Sequence, residues 1–422
     1  MSYKTILMAV EPHFNTTHVG VLRVIRYHFK DLVARGHSVT LATFRHGQWI
    51  TCSLLDATRA ILGDTRRAEM QKPYWQSGSA ARGGAFDVLP HEAHWPIRWD
   101  GEAVDPEDFD ESILTNPWMC AQCDEPIADS KFSVGIAYDM VPNLIALGVL
   151  RMPQFLDIYG FAHQHHIGYD YFLRNTASVS CISASTRHDF LRLYGAKHGA
   201  QYGANQGAQS GAQSGTRPGP RVDVCIPFGD FGDGATDANP EAKDVLMINV
   251  LDHRKNFLTV AKALKEASAS ARLHAVIVGR ERLPTAEVTA FLTELSSACA
   301  SVRWYRSPSD AQVQALMAGA RVVFFPSVYE GLGLPILEAQ ARGVPVISSN
   351  NSSCGEINLN PHLTADPYDH HAFAASLVQL QNENLPVLHG AALRDAQVKL
   401  LKGRNQLFVP PQDGAGPGEA PC

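Results

Sequence analysis

The sequence is 422 residues long, 45% hydrophobic and 18% charged, with a formal net charge of −6 at pH 7. That length favours two or three domains, each able to bury its own core. A negative chain offers no general attraction for nucleic acid or anionic lipid, so an anionic ligand must be held by local cations.

Residues 1–10 lack the charged, apolar and small-residue layout of a signal peptide. No apolar run approaches the roughly 20 residues of a membrane span. The expectation is a cytoplasmic enzyme. Residues 5–10 read as an apolar strand, and 19–34 carry a helical pattern that Gly36 should stop. Residues 37–42 read as the next strand, which completes a βαβ unit and implies a parallel sheet. From about 45 to 130, Pro, Trp and Gly are frequent and periodicity is weak, so irregular chain is expected. Cys120 and Cys123 form a single CxxC with no second pair, short of a zinc pattern, and no metal is expected.

Strands are expected again at 133–138, 178–183 and 222–226, with a helix at 185–194. Residues 199–219 repeat Gly, Ala, Gln and Ser. They lack apolar anchors to offset ordering entropy and read as a flexible insertion. Residues 229–240, rich in Gly and Asp, suit a linker. The second half alternates cleanly. Strands are expected at 245–250, 274–279, 302–305, 321–326 and 344–348. Helices are expected at 256–267, 286–298, 311–318 and 335–341. This is a second doubly wound parallel sheet, and ligands of such sheets bind beyond the carboxyl ends of the strands. The division is 1–228, linker 229–240, 241–408 and a tail at 409–422 that is expected to be disordered.

The most informative stretch runs from Phe324 to Ala339. A buried strand ends near Pro326, a loop with Gly331 and Gly333 follows, and Pro335 suits a first helical position. Gly331 and Gly333 leave their backbone amides open to an anion, near a helix N-terminus. Glu330 precedes the loop and Glu338 follows it on the helix, so they reach different parts of one ligand. A carboxylate can accept both hydrogen bonds of a vicinal diol. Arg254 and Lys255 open a helix, where cations oppose the dipole, which favours a ligand-bound role for them.

Glu330 and Glu338 with their spacing resemble the E-x7-E signature of retaining family 4 glycosyltransferases. Arg35-Gly36-His37, Cys181 to Ser185, Val224 to Gly229, Arg254-Lys255-Asn256, Ser349 to Glu356 and Asp366 to Asp369 are similar to that family's other motifs, in its order. The resemblance implies an α/β GT-B fold, two Rossmann-like doubly wound domains facing across a cleft. The 45–130 loops would then face the acceptor. It implies that Glu338 binds the donor ribose and Glu330 the transferred sugar. The amides of Gly331, Leu332, Gly333 and Leu334 would lie near the sugar and diphosphate, whose charge Lys255 and Arg254 would neutralise. The first loop departs from the family's Gly-Gly pair, since only Gly20 stands in Thr16 to Gly20. Tyr138-Asp139-Met140-Val141-Pro142 resembles the His-Asp-x-x-Pro of a subset, with Tyr in place of His. Asp139 is thereby a donor-side candidate. His163, His165 and His166 read as incidental histidines on a helix surface.

The implied function is retaining transfer of a hexose from a nucleotide-diphosphate sugar, GDP-mannose by resemblance to mannosyl- and rhamnosyltransferases of surface polysaccharides. The acceptor would be a glycan or lipid-linked glycan. No cofactor or metal is implied, and no nucleic acid. A lipid-linked acceptor would bring peripheral contact with the inner membrane face, to which Arg23, Arg26, Lys30 and Arg35 could add. The alternatives are a nucleotide-sugar epimerase on the same fold and a catalytically silent nucleotide-sugar-binding protein. A dinucleotide dehydrogenase is disfavoured, because no Gly-x-Gly-x-x-Gly follows the first strand.

Overall fold

A computed structural model describes residues 3–17, 19–62, 72–77, 97–122, 127, 130–152, 158–195, 201–202, 219–229, 242–382 and 387–408. The first half supplies strands β1 (Thr5–Ala9), β2 (Ser38–Arg45), β3 (Gln48–Thr51), β4 (Trp75–Gln76), β5 (Ala103–Val104), β6 (Glu111–Leu114), β7 (Phe132–Ala137), β8 (Thr176–Cys181), β9 (Gln201–Tyr202) and β10 (Arg221–Val224). The second half supplies β11 (Asp244–Ile248), β12 (His274–Val278), β13 (Ser301–Tyr305), β14 (Ala320–Phe325), β15 (Val346–Ser349) and β16 (Thr364–Ala365).

These strands form two sheets. One has the order β5-β3-β2-β1-β6-β7-β8-β10-β9, and the other β16-β15-β14-β11-β12-β13-β4. Pairing is parallel throughout, except at β3 and β5 on one edge and at β4 on another. Parallel strands buried on both faces read as near-continuous apolar runs. β1, with Ile6 to Ala9 fully buried, and β11, with Val245 to Met247 fully buried, are of this kind. The helix Val19–Ala34 ends as its glycine requires: Gly36 has φ 85°, and the His37 amide reaches back to the Leu32 carbonyl at 3.1 Å.

The stretch from 45 to 130 departs from the irregular reading. It holds β3 to β6 and the helix Leu54–Leu62, and β6 lies in the middle of its sheet between β1 and β7. A four-residue strand is too short to display periodicity, and its three buried residues are paired by distant chain. β4 leaves its own half altogether and pairs antiparallel with β13, Trp75 opposite Trp304. Tyr74 lies edge-on to the Trp304 ring. Within the expected insertion, Gln201–Tyr202 pairs with β10 as an edge strand. The rest of that insertion, apart from Gly219, lies outside the described residues, as do the expected linker beyond Gly229 and the expected tail.

After the helix Gly390–Leu401 the chain returns to the first sheet. The Ile226 amide donates to the Arg404 carbonyl at 2.7 Å, and the Tyr27 hydroxyl to the Asn405 carbonyl at 2.6 Å. Leu401 and Leu407 join a core shared with β1 and the Val19–Ala34 helix. No helix among the described residues is long and apolar enough to cross a membrane.

The helix Ile158–Asn175 contains a matched pair of glycines. A Cβ at Gly168 would collide with the Pro117 carbonyl, whereas a Cβ at the exposed Gly160 would meet nothing within 4 Å. Gly168→Ala is expected to destabilise the protein by roughly 1–3 kcal/mol. Gly160→Ala is expected to stabilise it by about 0.4–1 kcal/mol through the unfolded state. Urea denaturation of both variants checks the pair, and equal effects would show that the helix does not pack this closely.

Candidate functional site

β14 ends at Phe325, and the loop that follows is fixed from behind by the turn after β15. The Ser349 hydroxyl donates to the Ser327 carbonyl at 2.6 Å, and Asn351 Nδ2 to the Val328 carbonyl at 2.7 Å. The Glu330 amide donates to Ser352 at 3.2 Å, and Ser353 donates to the Glu330 carbonyl at 3.0 Å. Glu330 is thereby held buried, with its side chain 8% exposed. Gly333 follows with φ 82° at the cap of the helix Leu334–Gln340. Leu332 is buried in the core with Ile336 and Leu337, while Leu334 is half-buried.

The basic turn His253–Lys255 is stitched to that loop. Asp252 caps it through the Arg254 amide at 2.8 Å, and Asn256 leaves it in the left-handed region at φ 65°. Asn256 Nδ2 donates to the Pro326 carbonyl at 3.0 Å and also to the Pro367 carbonyl, and the Val328 amide donates to the Arg254 carbonyl at 2.9 Å. Lys255 Nζ therefore pairs with Glu330 Oε1, and Arg254 Nη1 lies 3.7 Å from Glu330 Oε2. Lys255 Nζ also sits 4.5 Å above the Phe325 ring.

Electrostatics follow from burial. Burial alone would raise the Glu330 carboxyl, but Lys255 and Arg254 outweigh it and hold the group below its usual range. Burial lowers the Lys255 ammonium, against the opposing pull of Glu330. Arg254 is raised chiefly by Glu330. Asp139 and Asp252 also act on Arg254, so the two cations stand among three carboxylates.

The first half closes over this cluster. A Cβ at Gly331 would strike the Tyr138 carbonyl and the Asp139 side chain, so the glycine is required by close approach rather than by its dihedral angles. Asp139 accepts from the Val141 amide at 3.0 Å and acts on the charge of Arg254. Ser183 and Thr186 donate to the Gly331 carbonyl at 2.6 and 3.1 Å. The Glu356 carboxylate accepts from the Ala184 and Ser185 amides at 2.9 and 3.1 Å, and the Tyr329 hydroxyl donates to Asp189. Thus Glu330, Arg254, Lys255, Gly331 and Asp139 are brought together.

Glu338 is engaged elsewhere. Its Oε1 pairs with Arg23 Nη1 at 2.7 Å, and Arg23 Nη2 lies 3.4 Å from Asp310. Gly20 is exposed on the same helix, one turn before Arg23. Arg26 faces Asp310 at 4.0 Å and Arg35 pairs with Asp31 at 3.1 Å. The basic face expected to meet a membrane is thus largely used within the protein. The histidine reading also changes. His163 and His166 are exposed, but His165 is 2% exposed and stacks on Trp118 with ring centroids 5.3 Å apart. The spacing of Phe161, His165 and Tyr169 was the helical signal for this buried face.

Sequence reasoning passed over Glu11, Arg23 and Glu356 as site-forming residues. Glu11 stands two residues beyond the end of β1 and is 7% exposed, with Oε1 accepting from Asn116 Nδ2 and Trp118 Nε1. Its place at the carboxyl end of a central strand was the available signal. The partners of Arg23 and Glu356 are distant in sequence and left no local trace.

A model of the family described as Glycosyl transferases group 1 matches residues 233–390. These include every strand of the second sheet except β4, so this part of the chain is a group 1 glycosyltransferase domain. The chain is 34% identical over 141 residues to the O-antigen chain mannosyltransferase B of Escherichia coli, a match that covers 33% of this chain and 37% of that one. It is 26% identical over 160 residues to sucrose-phosphate synthase 4 of Arabidopsis thaliana, covering 34% of this chain and 15% of that one. The chain therefore matches well under half the length of either relative. Among solved structures, sucrose-phosphate synthase of Thermosynechococcus elongatus aligns over 96% of this chain and 95% of its own, at a TM-score of 0.54 and 13% identity. Anabaena HepE, in complex with UDP and glucose, aligns over 95% and 96%, at 0.51 and 12%. These likenesses establish the fold as GT-B, with two facing α/β halves.

The buried cluster should behave as a coupled unit. Lys255→Met is expected to cost about 1–3 kcal/mol, because Glu330 then relies on the more distant Arg254. A double-mutant cycle with Glu330→Gln should show a coupling of about 0.5–3 kcal/mol. The depressed Glu330 carboxyl fixes the sign with pH: its contribution is complete above the ordinary value of 4.5 and is lost as pH falls through the lower folded value. The stability difference between wild type and Glu330→Gln should therefore shrink below about pH 4.5. Chemical denaturation across pH checks this, and a difference that grows on acidification would contradict the pairing.

Proposed function

We propose that the chain is a retaining glycosyltransferase that moves a hexose from a nucleotide-diphosphate sugar to a glycan or lipid-linked glycan acceptor. The observation that carries this reading is the cluster in which the buried Glu330 pairs with the half-buried Lys255 and Arg254, beside Gly331 and Asp139. Its two cations suit a departing diphosphate, and arginine and lysine are the side chains that bind phosphate. On donor binding they would exchange part of their pairing with Glu330 for phosphate oxygens. This frees the carboxylate to meet the hydroxyls of the transferred sugar, where positive charge develops. The group 1 domain match supports the reaction class, and the two mannosyltransferases among the relatives, from Escherichia coli and Mycolicibacterium hassiacum, support a mannosyl donor. GDP-mannose is the donor to test first.

Contacts across the two halves support a domain closure that would exclude water from such a reaction. Glu338 would bind the donor ribose, and for this Arg23 must give way. Asp139 and the backbone of 331–334 would line the sugar and diphosphate, with Gly20 at the opposing helix start. No step of this reading needs a metal or a cofactor.

Calorimetry with GDP, GDP-mannose, UDP-glucose and bare nucleoside tests the donor site. Lys255→Ala should weaken both diphosphate classes together and leave the nucleoside nearly unchanged. Glu338→Gln should mainly raise the donor KM, and Glu330→Gln should mainly lower kcat, each by about tenfold to a hundredfold for a lost charged hydrogen bond of roughly 1.5–3 kcal/mol. Arg23→Ala should tighten nucleotide binding by removing the competitor for Glu338. Proton NMR of the product should show the donor's anomeric configuration retained. Absence of binding to every nucleotide sugar, or an inverted product, would overturn the reading.

A further inference from the structure

The helix Phe257–Ala267 starts at the basic turn and ends beside the first turn of the helix His370–Gln381. Where they meet, Glu266, His370 and His371 converge. His371 Nδ1 lies 2.8 Å from Glu266 Oε2, and His370 Nε2 lies 3.8 Å from the same oxygen. The two imidazole rings have centroids 4.0 Å apart. One ligand atom from each of the three residues falls within 4.8 Å of the other two.

We propose that Glu266, His370 and His371 form a binding site for a first-row divalent transition ion such as zinc. Two imidazoles and a carboxylate are a donor set for zinc and its neighbours, whereas magnesium and calcium require oxygen ligands throughout. Zinc bonds of about 2.0–2.2 Å place tetrahedral ligand atoms roughly 3.3–3.6 Å apart. The two distances to Glu266 Oε2 bracket that spacing. The side chains of Glu266 and His371 are 44% and 72% exposed, so small rotations reach it without disturbing the core, and water can complete the coordination. Asp369, whose carboxylate caps the same helix at the Ala372 amide, adds a second negative charge to the surroundings.

An ordinary surface pair between His371 and Glu266 would explain one of these contacts, but not the approach of His370 to the same oxygen. The site is not part of the donor cluster. Glu266 stands eleven residues beyond Lys255, roughly 16 Å along the helix. Its effect would be mechanical. The loop before His370 already meets the start of the Phe257–Ala267 helix through Asn256 and Pro367. An ion at the far end would join the same two segments a second time, and so stiffen the support of the basic turn. This proposal does not depend on the transferase reading.

Isothermal titration of zinc chloride into the metal-stripped full chain tests it, with magnesium chloride as the comparison and far-ultraviolet circular dichroism as the check of folding. Wild type should bind one zinc at this site with micromolar-range affinity and show no magnesium binding there. His370→Ala, His371→Ala and Glu266→Gln should each weaken zinc binding at least tenfold while remaining folded. His362→Ala, an exposed histidine outside the cluster, should leave it unchanged. Zinc should also raise the Tm of wild type and of His362→Ala, but not of His371→Ala. Failure of wild type to bind zinc, or binding that persists equally in the three cluster variants, would overturn the proposal.

Discussion

A buried carboxylate cannot be left without positive charge, and the structure around Glu330 follows from that constraint. Desolvating an unpaired carboxylate costs several kcal/mol or more, so Lys255 and Arg254 must stand close to it. To place them there, the turn before the Phe257–Ala267 helix is locked by Asp252 and by the left-handed Asn256. To keep Glu330 in place, four side chains between the last residue of β15 and the start of the next helix, Ser349, Asn351, Ser352 and Ser353, hold the backbone of its loop. Three strand ends, β11, β14 and β15, are thus tied to one another by hydrogen bonds of loop residues. The pairing itself also explains why so polar a centre can exist at the carboxyl end of a parallel sheet without unfolding it.

The junction between the halves works by a different logic. Its polar contacts mostly use backbone groups: the Gly331 carbonyl, the Ala184 and Ser185 amides, and the carbonyls of Arg404 and Asn405. Such contacts specify position rather than residue type, because every amino acid carries the same groups. Side-chain identity matters at a few points, chiefly Glu356, Arg23 and the small Gly331. The Arg23–Glu338 pair is partly exposed and therefore worth little to stability alone. Such a contact can break when a better partner for Glu338 arrives.

What the sequence reveals tracks the distance over which structure is decided. In the second half the strands β11 to β15 are runs of four to six residues, each alternating with a helical pattern, and these were legible to within about two residues, whereas the two-residue β16 was not. The Glu330 loop and the Arg254–Lys255 turn were legible too, because the glycines, proline and paired carboxylates lie within one short segment. β6 was not, since only its neighbours β1 and β7 make Glu111–Leu114 a strand. Nor were the ion pairs that engage the basic face of the Val19–Ala34 helix: its positive charges suggest a surface partner until Asp310 and Glu338, some three hundred residues away, are placed beside it. His165 shows the reverse case, in which a local spacing pointed to burial and its polar character drew attention away.

The excursion of Trp75–Gln76 to the far sheet has a consequence for any attempt to divide the protein. β4 covers the outer edge of β13, where the Trp304 and Val302 carbonyls accept from the Tyr74 and Ser77 amides at 2.7 and 3.0 Å. A fragment cut at the interval before residue 242 would keep the whole group 1 domain and still lose this cover. Its last strand would then present unpaired amide and carbonyl groups next to Trp304, a template on which a second copy can add its own strand. The boundary drawn by sequence similarity is therefore not the boundary of a separable folding unit, and the fragment's fate in solution would be self-association along that bare edge.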